Sequence, residues 1–294
     1  MQTLLGLDGT NLLHRSFYAL ESTQMTDKDG RAIWAVHGLV NLIAKYIDEL
    51  QPSSLMVAFD LPGGCPSRKA LAPSYKQGRS APAPELVDQL ALVHVILEAA
   101  GVACGSVPDW EADDVLATLA QMAIDNQARA VVVSSDKDAH QLVGPTCAVY
   151  KPEGKLVTDV ELQAKYAVTG SRWVEYAALL GEGADNLTGV LGVGPKRAAA
   201  LIGAFGDIED AISDPVATAG VVGAKVRDQL LAGVETFRRN RQVGTLRRDL
   251  VLDVSGVKLR DLDTERIRAT MEEIGLRAAG SKLAGAVSRA QRRL

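Results

Sequence analysis

Thr3-Leu4-Leu5-Gly6-Leu7 runs directly into Asp8, an apolar stretch of strand length that stops on a carboxylate. The pattern recurs twice. Leu55-Met56-Val57-Ala58-Phe59 leads to Asp60, and Ala130-Val131-Val132-Val133 leads, after two serines, to Asp136 and Asp138. Runs of this length and composition read as buried strands. Helical patterns at 34–50 and 85–100 separate them, the second closed by Gly101. Strands alternating with helices predict an α/β fold around a central, mostly parallel sheet flanked by helices. In such a sheet the carboxyl ends of neighbouring strands line one crevice, where ligands bind. The three acidic groups are therefore expected along a single edge.

A fourth group lies on a helix. Pro108-Asp109 opens a segment, Trp110-Glu111-Ala112-Asp113-Asp114-Val115-Leu116, that continues through Leu119, Ala120 and Ala123. Asp109 is the expected N-cap, and Leu116, Leu119, Ala120 and Ala123 recur at the spacing of a buried helical face. Glu111 and Asp114, three apart, share one side of the first turns, with Asp113 beside them. Acids at a helix N-terminus can simply complement the helix dipole. Beside three strand-end groups, a shared site is the stronger reading. With Glu182 and Asp185, nine carboxylates fall where they can converge.

Crowding of this kind has a physical consequence. Two like charges about 4 Å apart repel by roughly 4 kcal/mol at an effective dielectric near 20. Several carboxylates stay ionised together only if cations bind among them; otherwise some protonate. A pocket of Asp and Glu without His or Cys partners suits Mg²⁺ or Mn²⁺ better than Zn²⁺. Two such ions clamp the attacking and leaving oxygens of a phosphodiester. The expected chemistry is metal-dependent phosphodiester hydrolysis, using two or more Mg²⁺ or Mn²⁺ ions at the carboxylate cluster.

The composition is ordinary for a soluble globular protein. The 294 residues are 47% hydrophobic and 23% charged, enough for a substantial core. Aromatics are only 4%, so any base stacking rests on few residues. The N-terminus lacks a basic region and Asp8 interrupts its apolar stretch, so neither a signal peptide nor a membrane span is expected. The three cysteines, Cys65, Cys104 and Cys147, are widely spaced and read as reduced thiols of a cytoplasmic, nucleoid-associated protein. The net charge of −4 hides its distribution. Without the nine site carboxylates, 27 acids face 32 Lys and Arg. Basic residues also gather late, at Arg238, Arg239, Arg241, Arg247, Arg248, Arg289, Arg292 and Arg293, where they could supply phosphate contacts or form a solvated face.

Residues 1–168 carry the strand–helix alternation and 169–294 are helical in pattern. Between Asp60 and Glu85 lies a polar, broken segment, 62–85, with Arg68, Lys69, Tyr75, Lys76 and Arg79. Its basic residues begin just after a site acid, so it could arch over the crevice and meet a phosphate backbone, or simply form a solvated, flexible connection. In the second part, Gly189-Val190-Leu191-Gly192-Val193-Gly194-Pro195-Lys196-Arg197 leads into Ala198-Ala199-Ala200-Leu201-Ile202. The glycines allow a tight turn and Pro195 suits the first turn of a helix. Such a turn leaves backbone N–H groups free for a phosphate, with Lys196 and Arg197 adding charge. An ordinary interhelical turn or a helix-hairpin-helix at 185–202 both fit. From Glu265 onward one or two amphipathic helices with a basic end are expected.

Taken in order, these motifs resemble those of the 5′-nuclease family, the flap endonucleases and the 5′-exonuclease domain of DNA polymerase I. The matching residues are Leu7-Asp8-Gly9 with Arg15, Ala58-Phe59-Asp60, Tyr75-Lys76 with Arg79, Glu111-Ala112-Asp113-Asp114, Asp136-Lys137-Asp138, Gly181-Glu182-Gly183-Ala184-Asp185-Asn186 and Gly192-Val193-Gly194-Pro195-Lys196. They cover roughly residues 4–250. The chain looks like a free-standing member, since it ends at Leu294. The resemblance implies a PIN-like nuclease core with a helical arch and a C-terminal all-α helix-hairpin-helix region. It also implies a first metal at Asp8, Asp60, Glu111, Asp113 and Asp114, and a second at Asp136, Asp138, Glu182 and Asp185. Tyr75, Lys76 and Arg79 would lie on the arch and bind DNA. Lys76, Arg15 and Arg79 would be catalytic, with Lys76 and Arg15 at the scissile phosphate. Gly192, Gly194, Lys196 and Arg197 would hold duplex DNA through a K⁺ ion. The implied substrates are 5′ flaps, gaps and nicks, including RNA primer ends, in primer removal and repair alongside a DNA polymerase and a ligase.

Two positions depart from the family pattern. Glu182 stands where Asp is usual, so its longer side chain is expected to weaken the second site or favour Mn²⁺. Thr188 stands where Pro is usual. The competing reading is a catalytically weak or inactive scaffold that binds flaps; a small RNase of a related acidic-site fold would lack the hairpin turn.

Overall fold

The computed structural model describes residues 2–78 and 81–294. Five parallel strands, β1 (Thr3–Asp8), β2 (Ser54–Ala58), β3 (Cys104–Gly105), β4 (Arg129–Val133) and β5 (Cys147–Lys151), form a sheet with antiparallel β6 (Lys155–Val157) at its edge. The order β3-β2-β1-β4-β5-β6 places β2 and β3 on one side of β1 and β4, β5 and β6 on the other, so the direction of winding reverses between β1 and β4. The first connections are α1 (Gly9–Leu20), α2 (Trp34–Leu50), α3 (Pro66–Leu71), α4 (Pro84–Ala99) and α5 (Ala112–Asp125).

Both faces of the three central strands are buried, which is why they read as unbroken apolar runs. Leu5, Leu7, Leu55, Val57 and Val133 point to a core shared with α1, α2 and α4. Met56, Ala58, Ala130 and Val132 point to the opposite face, against Val115, Leu116 and Leu119 of α5. Gly6 marks a close contact between β1 and α5. A Cβ there would come within 2.8 Å of Leu116 Cδ2, so the glycine lets α5 lie close on β1.

Beyond the sheet follow α6 (Asp159–Tyr166), α7 (Trp173–Leu180), a small hairpin of β7 (Gly181–Glu182) and β8 (Leu187–Thr188), then α8 (Pro195–Phe205), α9 (Ile208–Ser213), α10 (Pro215–Val222), α11 (Ala224–Ala232) and α12 (Val234–Gly244). These helices enclose a second core around Trp173, Leu179, Leu201 and Phe237. The chain then returns to the sheet. Leu246 joins the α5 core, and Ser53 and Leu55 exchange backbone bonds with Val257 and Leu259. Helices α13 (Thr264–Glu273) and α14 (Arg277–Gln291) pack against α4 and α2. Ile267, Met271, Leu283 and Val287 thus belong to the first core, although they lie within the stretch 169–294 expected to form a separate helical region.

Two other expectations change. Asp109 is not the cap of α5; it takes a left-handed φ of 67°, and Glu111 caps the helix. Glu111 and Asp114 form a reciprocal capping box, each side chain bonded to the other's backbone N–H. The segment expected to arch at 62–85 is also more firmly seated than its polarity suggests. Arg68, Ala72 and Tyr75 are buried, the last two packed with Val243 of α12.

Candidate active site

Asp8 ends β1 and caps α1, its Oδ1 accepting from Asn11 N at 3.0 Å. Its Oδ2 accepts from Ser134 Oγ at 2.7 Å, across the point where the sheet's winding reverses. Ser134 Oγ accepts in turn from Asp136 N, and Asp136 Oδ1 accepts from Asp138 N at 2.9 Å. Asp60 lies just beyond β2. Its N–H donates to Thr10 Oγ1 and its Oδ1 accepts from Ala112 N, the first residue of α5. These contacts draw Asp8, Asp60, Glu111, Asp113 and Asp136 around one crevice, together with Thr10, Asn11, His14 and Lys76.

Asp138, Glu182 and Asp185 line an adjoining hollow, with Tyr75, Gln141 and Asn240. The β7–β8 hairpin carries Glu182 and Asp185. Its tight return requires Gly181, which has φ of 71° and would set a Cβ 2.4 Å from Leu187 O. Lys76 joins the two groups: its backbone N–H donates to Asp185 O, and its Nζ donates to Glu111 Oε1 at 2.6 Å. Asp136 borders the first group rather than the second, to which the family resemblance assigns it.

Arg68 forms the contact that sequence reasoning missed. Its side chain is 4% exposed, with Nη1 bonded to Glu111 Oε2 and Asp114 Oδ2, Nη2 to Asp114 Oδ1, and Nε to Val243 O. No sequence spacing links residue 68 to 111, 114 and 243; only the folded chain does. Asp114 is fully buried, and its oxygens also accept from Glu111 N and Arg247 N. With four hydrogen bonds reaching its two oxygens, Asp114 lies behind the acids that line the crevice.

Other residues move as well. Arg15 does not enter the crevice; it lines a separate groove with Tyr18, His37, Asn41, Lys45 and Lys282. Tyr75 is 5% exposed and donates its hydroxyl to Glu111 Oε2, so it is packed inside instead of displayed to a DNA strand. Arg79 lies outside the described residues. His14 was overlooked and corrects the expectation of a pocket without His; its position four residues after Thr10 on α1 was the available signal.

At the glycine turn, Gly194 caps α8 and Pro195 begins it. Gly192 has φ of 76° and faces Gln229 so closely that a Cβ would lie 1.9 Å from Oε1. Lys196 is exposed, whereas Arg197 folds back to Gly192 O at 2.8 Å. Four of the eight late arginines are paired: Arg238 with Glu209, Arg241 with Glu175 and Glu209, Arg247 with Asp249, and Arg289 with Asp48.

Burial raises the Asp8 carboxyl to about 7, overcoming its two hydrogen bonds, with Asp60 and Asp136 adding to the rise. Burial likewise raises Asp138 to about 7, helped by Asp136 and Asp185. Asp113 is pushed well above the usual range by burial, against the pull of Arg68 and with Asp114 and Glu111 adding to it. Burial also opposes the charge on Glu111, but Lys76 and Arg68 prevail and hold its carboxyl low.

As placed, no three acidic, His or Cys side chains among the described residues are close enough to hold one ion. Arg68 and Lys76 stand among the acids as cations. The donor set nevertheless fits a hard dication. Its carboxylates offer only oxygen, and two of them, Asp8 and Asp113, favour the neutral form in the absence of a further cation. Asp113 Oδ1 is shielded from solvent with no hydrogen-bond partner among the described residues. Asp8, Asp60, Glu111, Asp113 and Asp136 are the acids of the crevice that would hold a divalent ion.

The elevated carboxyls have a measurable sign. Raised acids hold protons in the folded state that the unfolded chain releases from about pH 3.8 upward. Their stabilising neutral form is fully present below that pH and is lost as pH rises through about 7. An ion that binds the deprotonated acids recovers the loss. Mg²⁺ should therefore raise the melting temperature clearly at pH 8 and little at pH 5. An equal rise at both would place the ion elsewhere.

Comparisons with known proteins follow the same architecture. Residues 3–167 match the family model described as 5′-3′ exonuclease, N-terminal resolvase-like domain, and residues 168–269 match 5′-3′ exonuclease, C-terminal SAM fold. The chain is 35% identical over 273 residues to a thermostable DNA polymerase I of Thermus thermophilus, covering 92% of this chain and 32% of that protein. It is 32% identical over 292 residues to DNA polymerase I of Mycobacterium tuberculosis, covering 96% and 31%. It spans about a third of the length of these relatives. In fold it is similar to a bacteriophage T5 flap endonuclease complexed with DNA and metal ions, at TM-score 0.69 and 18% identity over 99% of this chain and all of the other. The catalytic core of Rad2 with DNA substrate matches at TM-score 0.58 and 16% identity, over 98% and 92%. No helix of the described residues is long and apolar enough to cross a membrane.

Proposed function

Since the chain belongs to the 5′-3′ exonuclease family, we propose that it is a structure-selective 5′ nuclease, both flap endonuclease and 5′→3′ exonuclease, dependent on Mg²⁺ or Mn²⁺. The observation that carries this reading is the crevice at the ends of β1, β2 and β4, where Asp8, Asp60, Glu111, Asp113 and Asp136 gather beside Lys76. A second ion would take Asp138, Glu182 and Asp185 in the adjoining hollow. Bound there, divalent ions would polarise the scissile phosphate and offset the negative charge around it.

The chain's own groups supply the remainder. Asn11 N and Ser134 hold Asp8 with both oxygens aimed. Ala112 N holds one oxygen of Asp60 at the start of α5. Lys76 is the cation of the crevice, and a phosphate approaching Glu111 meets its ammonium first. The turn at Gly192 and Gly194, with the exposed Lys196, would grip duplex DNA with the help of K⁺. Flaps, gaps and nicks, including RNA primer ends, are the substrates in primer removal and repair. A polymerase then fills the gap and a ligase seals it.

Lys76→Ala should slow cleavage by about 10²–10³-fold while weakening substrate binding far less. Single-turnover rates set beside binding constants measure both. Equal losses in the two would reduce Lys76 to a backbone contact.

The direct test is cleavage of a 5′-labelled flap with Mg²⁺, Mn²⁺ or EDTA. Products cut near the single-strand/duplex junction, with either metal and not with EDTA, are expected. Binding without a cut in either metal would instead establish a flap-binding scaffold.

A further inference from the structure

A groove between α1 and α2, bordered by Lys282 of α14, shares no residue with the acidic crevice. Its volume is about 780 Å³, within the roughly 300–1,000 Å³ usual for ligand sites. The two helices come close at Gly38, where a Cβ would lie 2.5 Å from Ser16 Cβ and 3.0 Å from Leu20 Cδ1. Gly38 and Ser16, two very small residues, thus form part of the lining, and Leu20 and Leu42 add aliphatic surface. Tyr18, 62% exposed, extends the apolar surface further. His37, Asn41 and Lys45 follow one another along α2 at four-residue spacing, a length of about 12 Å.

The neutral polar groups of the lining already have partners. Ser16 Oγ donates to Leu12 O at 2.8 Å. Asn41 Nδ2 donates to His37 O at 2.9 Å and to His37 Nε2 at 3.0 Å. Burial, with the charge of Lys282 adding to it, pushes the His37 imidazole below its ordinary range. The cations are less well matched. Among the described residues, Arg15 and Lys282 have no carboxylate within ion-pair distance, and Lys45 reaches Glu49 only at 3.9 Å. No acid among the described residues lines the groove. Three positive groups therefore border a largely apolar surface. What that surface lacks is negative charge and apolar contact together.

We propose that this groove docks a partner protein through an acidic amphipathic segment of that partner. Apolar side chains one helical turn apart would lie against Gly38 and Leu42, and flanking carboxylates would meet Arg15, Lys45 and Lys282. About two turns of helix match the length available along α2. The charge pairs would select an acidic partner over a basic one. Single-stranded nucleic acid is also anionic, but it is held on successive aromatic rings, and this lining is mainly aliphatic. Docking here would bring the chain to another protein and leave the acidic crevice open, whatever reaction the crevice carries out.

The test is a displayed library of random peptides, each about twelve residues or three helical turns long. It is selected on the immobilised parent chain and, in parallel, on Ala19→Glu and Lys282→Glu. Both substitutions fall at exposed positions, so melting temperatures should match the parent. Peptides enriched on the parent should combine Asp or Glu with Leu, Ile or Phe three or four residues apart. A labelled synthetic copy of the leading sequence should bind the parent at least about 10-fold more tightly than either variant. Its affinity should fall as salt rises. Basic or uncharged winners, no enrichment over an empty support, or equal binding to the variants overturns the proposal. So does a single-stranded oligonucleotide that prefers the parent to Lys282→Glu while no acidic peptide is enriched; that result would assign the groove to nucleic acid.

Discussion

Asp8→Asn is expected to yield a protein at least as stable as the parent that cuts flaps at least about 10²–10³-fold more slowly. The stability half follows from local geometry. Asn is as good an N-cap as Asp, so the bond from Asn11 N survives. Ser134 can turn its hydroxyl to accept from the new amide. What disappears is a charge that burial resists, shown by a carboxyl raised from 3.8 to about 7. At pH 8 in EDTA that relief is worth up to about 4 kcal/mol, and near pH 4 it should vanish because the parent acid is then neutral. The activity half follows from the same charge, since a neutral amide cannot help hold a dication beside Asp60 and Asp113. Urea unfolding at two pH values and flap turnover with Mg²⁺ measure both halves. Full turnover in the variant would remove Asp8 from the metal site, and a stability loss at pH 8 would mean that the carboxylate is already well neutralised.

Arg68→Met should destabilise the fold by about 3–5 kcal/mol. Met fills similar space but leaves Asp114, fully buried, with only the backbone donors of Glu111 and Arg247. It also cuts the bond to Val243 O that joins α3 to α12. Denaturant unfolding of Arg68→Met, Asp114→Asn and the double variant gives the coupling. The double variant should recover part of the loss, because neither charge is then left alone. Strictly additive losses would show that the pair contributes little. Asp114→Asn then has a particular meaning. Lost cleavage in that variant reports a loosened α5 start and a displaced Glu111, so cleavage must be compared at matched folded fraction.

The two substitutions mark where local pattern ends. Asp8, Asp60 and Asp136 were legible because each sits just beyond an apolar run, and parallel strands bring their carboxyl ends together whatever else the chain does. The buried face of α5 was legible from its helical spacing, and the turn before α8 from its glycines and Pro195. Asp114 shares that helical spacing, yet spacing cannot distinguish a ligand facing the crevice from a cap bonded to a guanidinium behind it. That choice was made by Arg68, brought in by packing of the 62–85 segment against α12. The groove that Arg15 lines was not legible for a related reason: a helix position fixes the face of α1 only after α2 and α14 have docked. The return of α13 and α14 to the first core likewise depends on which apolar faces remain uncovered once the sheet has formed.

By itself, then, the sequence determined the α/β layers, the acidic edge and the glycine turn, all consequences of period, strand ends and backbone freedom within a few residues. Only the tertiary structure decided which acids open to the crevice, which are neutralised from behind and which cations stay unpaired. Burial and charge pairing depend on groups far apart in the chain, and their distances exist only after folding.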